Sequence, residues 1–254
     1  WTVDVQNSHV SGGRFEFSAI ATDPGTGNNS PSSAAKVFQP NLVLINADDM
    51  RLDDLAFMPY VSSTLANQGT VFTDFFAPTS LCGPSRASTL TGLFAERTGI
   101  YENLAPLGGS ANLDLSSSLP VWLDNAGYDT GLFGKDRTLP GVDLRMPSQA
   151  TLPPSPGWDE YFAVISGGSN GYNYKVDHNS VTETYGSAPT DYATDVLGQK
   201  VAAFVNASQT TSPNSPFFAY VAPFAPHFPY TPGPQDVGAY SDIPASRPPN
   251  FNIP

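Results

Sequence analysis

Apolar and polar positions follow two rhythms along this chain. Residues 1–5 alternate, and Phe15-Glu16-Phe17-Ser18-Ala19-Ile20-Ala21-Thr22 partly alternates, as half-buried strands do. A turn-and-linker stretch, Asp23-Pro24-Gly25-Thr26-Gly27-Asn28-Asn29-Ser30-Pro31, follows. From residue 38 strand and helix patterns take turns. Leu42-Val43-Leu44-Ile45 is a continuous apolar run, which predicts a strand buried on both faces. Residues 59–68 read as a short helix, with Pro59 in its first turn and Gly69 just past its end. Val71-Phe72 and Phe75-Phe76 predict a following strand. Residues 84–93 and 120–126 read as helices, the second stopped at Gly127, and residues 128–133 as the next strand. Residues 191–205 place Val196, Leu197, Val201, Phe204 and Val205 near one face of a helix. Residues 217–222 form another apolar run. Strands alternating with helices predict an α/β sheet with parallel character, behind a short β-rich segment over residues 1–36. Residues 138–190 are rich in Pro, Gly and Tyr and poorly periodic. They read as a long loop region that shapes a binding site.

Composition narrows the function classes. Only 13 % of the 254 residues are charged, against roughly 25 % in average soluble proteins. The 22 Gly and 25 Pro imply long loops. A net charge of −12 argues against nucleic acid or an anionic membrane surface as partner, since either needs a basic face. No run of 18 apolar residues is present, so no membrane span is expected. The single Cys excludes an intrachain disulfide framework and any multi-Cys zinc site. Low charge with abundant Ser, Thr and Asn fits an extracellular, periplasmic or cell-surface protein.

Four clusters carry candidate chemistry, and each stands just after a predicted strand or at a helix start, where open α/β sheets place their sites. Asp48-Asp49 follows the 42–45 strand. Adjacent carboxylates repel, so two ionised neighbours call for a cation, and oxygen ligands favour Ca²⁺ or Mg²⁺; alternatively one of them caps a turn. Asp53-Asp54 reads as a solvated approach to a helix. Cys82 opens the segment Leu81-Cys82-Gly83-Pro84-Ser85-Arg86-Ala87-Ser88-Thr89-Leu90-Thr91-Gly92. At a helix start it meets unpaired N–H groups and a positive dipole, and Arg86 can pair with the same anion. Gly131-Leu132-Phe133-Gly134-Lys135 ends a strand in Lys135, and Ala225-Pro226-His227-Phe228-Pro229 follows the last strand. A histidine has the intrinsic pKa for proton transfer. His178 in the long loop region is a further candidate for the pocket lining. Trp158, Tyr172 and Tyr174 offer rings for stacking on a sugar, a role that packing would equally explain.

These motifs resemble a known family. Cys82-Gly83-Pro84-Ser85-Arg86 with Thr91-Gly92, preceded by the acidic pair Asp48-Asp49, is similar to the signature of the type I sulfatases of the alkaline-phosphatase-like superfamily. Gly134-Lys135 and Ala225-Pro226-His227-Phe228-Pro229 match two more of its motifs, with the glucosamine-6-sulfatase and arylsulfatase group the nearest likeness. The resemblance covers about residues 38–254. It implies a mixed, largely parallel sheet flanked by helices. It also implies a sulfuric ester hydrolase in which Cys82 is converted to formylglycine, an aldehyde whose hydrate is the nucleophile. A formylglycine-generating enzyme is then a partner, and a sulfated carbohydrate or aryl sulfate the substrate. Asp48, Asp49 and residue 82 would hold Ca²⁺, with Mg²⁺ as the alternative; Lys135, His227 and Arg86 would hold the sulfate, and His227 would protonate the leaving oxygen. Many members carry His two residues after this Lys, where Arg137 stands here; Arg stays protonated and is a poor base. Residues 1–36 resemble the last strands of a bacterial Ig-like repeat with its linker, leaving 37–254 as the N-terminal portion of a catalytic domain.

Family members continue past the Ala-Pro-His region with further metal ligands and a later Lys, which do not follow His227 here. A sheet incomplete at the C-terminus, weak metal binding and an inactive fragment are therefore expected of these 254 residues. The alternatives are a non-catalytic sulfatase-like module of a cell-surface binding protein, and hydrolysis of phosphate or phosphonate esters. Cys rather than Ser or Thr at the nucleophile position favours sulfate.

Overall fold

The computed structural model describes residues 2–11, 14–22, 36–109, 113–136, 155–213, 215–244 and 247. At the start of the chain β1 (Thr2–Ser11) and β2 (Arg14–Thr22) pair antiparallel, and β3 (Lys36–Phe38) adds to β2 through Phe15↔Phe38. The alternating runs thus form a hairpin, and its sheet reaches to residue 38, past the boundary expected at 36.

The second sheet has six strands: β4 (Leu42–Ile45), β5 (Asp129–Gly134), β6 (Glu160–Ser166), β7 (Tyr174–His178), β8 (Val181–Tyr185) and β9 (Phe217–Ala222). Their order is β4-β9-β5-β6-β7-β8. The first four in that order run parallel, and β7 and β8 are antiparallel additions. The mixed, largely parallel α/β sheet read from the sequence is therefore present. Helices α1 (Cys82–Thr91), α2 (Ala95–Thr98), α3 (Leu119–Asn125) and α4 (Ala193–Thr211) complete the regular structure, beside a 3₁₀ turn at Leu52–Phe57 and a π-helical turn at Val61–Ala66.

The pleat divides the core in two. Leu132, Tyr161, Phe218 and Tyr220 face Ala87 and Leu90 of α1 on one side of the sheet. Phe133, Phe162, Val164 and Ala219 face Val196 and Leu197 of α4 on the other. Adjacent residues such as Leu132 and Phe133 point to opposite faces, as the two-residue period of a strand requires, and both faces are covered. That is why β9 reads as a continuous apolar run rather than an alternating one.

Three expectations fail. The 42–45 strand is an edge strand paired only with β9, and Val43 and Ile45 are more than half exposed; an apolar run reports burial on both faces only where a second neighbour exists. No strand forms at residues 71–76, where Phe72, Phe75 and Phe76 are exposed with no partner strand among the described residues. The region 138–190 is not a single loop. Residues 137–154 lie outside the described residues, but 160–185 supply β6, β7 and β8. The β7–β8 turn is Asn179-Ser180, both at positive φ (51° and 71°), the backbone of a two-residue hairpin turn usually signalled by Asn-Gly.

Candidate active site

Parallel strands bring the predicted residues to one end of the sheet. Asp48 lies three residues past β4, Lys135 directly follows β5, and His227 lies past β9. The Lys135 N–H donates to Ala222 O at 2.8 Å, which ties the end of β5 to that of β9. Helix α1 presents Cys82 as its first residue and Arg86 one turn later. Pro84 suits the first turn, where its missing N–H is not needed, and Gly92 at φ 70° ends the helix in a left-handed cap.

Asp48 is the hub. It is 4 % exposed, and its Oδ1 accepts from Arg86 Nη2 at 3.2 Å while its Oδ2 accepts from Lys135 Nζ at 2.5 Å. Both cations are themselves 2 % exposed. Burial alone would push the Asp48 carboxyl up, but the charges of Lys135 and Arg86 outweigh it and hold the group below the usual carboxylate range. Burial likewise opposes the charge on Arg86, and Tyr220 and Asp48 more than offset it. Arg86 Nη1 donates to the Tyr220 hydroxyl at 3.1 Å, and Asn46 Nδ2 donates to the same oxygen at 3.1 Å. The buried Arg86 Nε–H has no partner among the described residues. Lys135 also lies 5.1 Å from the centre of the Phe224 ring, a cation–π contact.

Asp48, Cys82 and His227 each place one ligand atom within 4.8 Å of the others. Asp49 stands apart from this triad. Its backbone is left-handed at φ 59°, its side chain is 57 % exposed, and its Oδ2 lies 3.6 Å from His227 Nε2. His227 Nδ1 lies 2.6 Å from Phe228 O. A carbonyl can only accept, so Nδ1 carries the hydrogen and Nε2 faces the site. Asp48, Asp49, Cys82, Ser85, Arg86 and Thr89 line one cleft of about 650 Å³.

The donor set fits a divalent ion in part. Each Asp48 oxygen keeps a second lone pair beyond its cationic partner, and Asp49 adds a hard oxygen. Among Asp48, Asp49 and residue 82 the sulfur of Cys82 is the soft exception; an oxygen in its place would make these three uniformly hard and suited to Ca²⁺ or Mg²⁺. For an anion, Arg86 lines the same cleft as Cys82, and Lys135 shares Asp48 with it.

His178 does not join this site. It ends β7, with Nδ1 2.6 Å from Glu183 Oε1 and Nε2 2.8 Å from Glu160 Oε1, and so braces β6, β7 and β8 to one another. The rings named for stacking are also spent on packing: Tyr174 is buried, Trp158 stacks on Phe218 and Tyr220, and Tyr172 leans on Tyr192. Arg137 lies outside the described residues. Sequence reasoning missed Asn46, Tyr220 and Asn103. Tyr220 is an ordinary core aromatic by pattern, and only its hydroxyl at the strand end marks it. Asn103 accepts from the Gly83 N–H at 2.7 Å, so one helix-start N–H expected to face an anion is already taken.

Comparison with known proteins agrees with this geometry. The family model described as Sulfatase matches residues 40–246. The N-acetylglucosamine-6-sulfatase of Homo sapiens is 31 % identical over 229 residues, covering 87 % of this chain and 40 % of that protein. The extracellular sulfatase SULF-1 homologue of Drosophila melanogaster is 28 % identical over 254 residues, covering 94 % of this chain and 22 % of its own length. The structure of BT4656 in complex with its substrate D-glucosamine-2-N,6-O-disulfate superposes with a TM-score of 0.59 at 20 % identity, over 84 % of this chain and 40 % of that one. The chain spans between 22 % and 40 % of the length of the first curated relatives. With the family model running through every cluster of the site, the chain belongs to the sulfatase family.

Proposed function

We propose that residues 37–254 are the N-terminal portion of a catalytic domain that hydrolyses sulfate esters of a carbohydrate outside the cell, with Cys82 converted to formylglycine. The observation that carries this is the buried Arg86–Asp48–Lys135 cluster beside Cys82, with His227 within ligand distance of both Asp48 and the sulfur. Arg86 and Lys135, both buried and paired with Asp48, are the positive groups that a sulfate would meet. Relatives named for N-acetylglucosamine-6-sulfate and for extracellular action support the substrate class and the location. Among the described residues no helix is long and apolar enough to cross a membrane.

Each side chain has a task that follows from its placement. Arg86 and Lys135 hold the charge on the sulfate oxygens, and Asp48 holds both cations in place. His227, fixed by its Nδ1–H to Phe228 O, presents Nε2 to the leaving oxygen; as the imidazolium it carries a second proton on Nε2, gives it to that oxygen as the S–O bond breaks, and is left neutral. A divalent ion held by Asp48, Asp49 and residue 82 would polarise the sulfate, and formylglycine would supply a hydroxyl nucleophile in place of the thiol. Phe228 and Tyr230, both largely exposed and in edge-to-face contact at 5.7 Å, flank His227 where the sugar would leave.

The test is the whole protein, co-expressed with a formylglycine-generating enzyme and offered glucosamine 6-sulfate, nitrophenyl sulfate and nitrophenyl phosphate. Sulfate release that Cys82→Ala abolishes is expected. Preference for the phosphate ester, or no turnover of any ester, would overturn the proposal.

A further inference from the structure

We infer that Asn103 is the hydrogen-bond donor that orients the side chain of residue 82. The loop that carries it is closed on itself. The N–H groups of Tyr101 and Glu102 both donate to Leu107 O, at 2.8 and 3.1 Å, and the backbone of Gly108 passes so near Glu102 O that a Cβ there would lie 1.6 Å away. From this loop Asn103 reaches the first turn of α1, where Leu81 at the N-cap offers no side-chain oxygen. Asn103 Oδ1 accepts from the Gly83 N–H at 2.7 Å. A backbone N–H requires an acceptor, so the contact settles which end of the amide is oxygen. The Nδ2–H₂ end then faces Cys82 Sγ at 3.9 Å, and among the described residues it is the sulfur's one hydrogen-bond contact. A single amide therefore satisfies an orphan helix donor and aims its own donor at the side chain on which the chemistry depends.

Asn is the residue type this double contact demands. Asp would keep the acceptor toward Gly83 but turn an anion on residue 82 and on the sulfate beside it. Ser would be too short to bridge both groups. In the converted protein the same N–H donates to an oxygen on the Cβ of residue 82 and holds it in its attacking orientation; this second role rests on the sulfatase reading, and the contact to the thiol does not.

Asn103→Asp separates orientation from folding, because it preserves shape and the bond to Gly83. In unconverted protein at pH 8, iodoacetamide should alkylate Cys82 about tenfold more slowly than in the parent, since a carboxylate replaces a donor beside the sulfur. The melting temperature should stay within about 2 °C. In the converted whole protein kcat should fall about tenfold or more, with KM within about threefold. Should Asn103→Asp fail to fold, Asn103→Ser, which withdraws the donor without adding a charge, should slow alkylation by a smaller factor, about two- to threefold. Alkylation at the parental rate in a folded variant overturns the inference, whatever happens to kcat. A parent protein that never acquires sulfatase activity overturns the proposed function instead, and the alkylation rates still decide the role of Asn103.

Discussion

Replacing Asp48 by Asn removes the carboxylate that pairs with two buried cations. The amide keeps the shape and can still accept one hydrogen bond, but its own NH₂ must then face Lys135 or Arg86. Both cations are 2 % exposed, so neither can recover its lost interaction in water. Deleting one partner of a buried ion pair costs about 3–5 kcal/mol, because the remaining charge is left desolvated and uncompensated. In a domain of this size that corresponds to a fall in melting temperature of roughly 6–20 °C, at about 2–4 °C per kcal/mol. Urea unfolding followed by circular dichroism measures it directly. Asp48→Asn combined with Lys135→Met should recover a substantial part of the loss, since it removes one of the two orphaned charges and leaves an apolar chain over Phe224. The loss should also shrink at low pH: the folded carboxyl is held below its ordinary value, so its contribution is full above about pH 4 and fades as pH falls through the folded pKa. A single variant within about 1 kcal/mol of the parent, or a double variant no better than the single one, would refute the claim that this carboxylate holds the cations in place.

Two further outcomes follow from other parts of the molecule. Glu183 accepts from His178 and Tyr185 and forms an ion pair with Lys200 at 3.8 Å, and the hydrogen bond from His178 is the largest cause of its lowered pKa. The carboxylate is a third exposed, so Glu183→Gln should cost about 0.5–1 kcal/mol at pH 7, a value already reduced for solvent screening. The folded carboxyl is held below the ordinary glutamate value, so the difference should be full above that value and fade as pH falls through the lower folded pKa. Tyr230 is 70 % exposed in a left-handed backbone at φ 62°, and its N–H donates to His227 O at 3.2 Å. Tyr230→Ala should raise KM for a sulfated saccharide by about three- to tenfold while leaving nitrophenyl sulfate within about twofold; equal effects on both substrates would remove the ring from sugar recognition.

What the sequence conveyed follows from how local each signal is. Asp48, Lys135 and His227 were legible because each follows a strand of a parallel sheet, and strands that run together end together. Cys82 and Arg86 were legible because a helix start fixes their spacing. Asn103 and Tyr220 were not, because their roles depend on contacts 20 and 134 residues away in the chain that no periodicity encodes. His178 was misplaced for a related reason: with the Asn179-Ser180 turn unrecognised, its stretch read as a loop near the pocket rather than as a strand braced by two glutamates. The 42–45 run was over-read because hydrophobicity reports what a strand could bury, whereas its neighbours decide what it does bury.

The claim on which the rest depends is that the thiol of Cys82 is a precursor rather than the working group. Mass spectrometry of the peptide spanning residue 82, from protein made together with a formylglycine-generating enzyme, tests it most directly. The account predicts a peptide about 18 Da lighter than the cysteine form, with an aldehyde that condenses with a hydrazide. A peptide of unaltered mass, still alkylated by iodoacetamide, would contradict it.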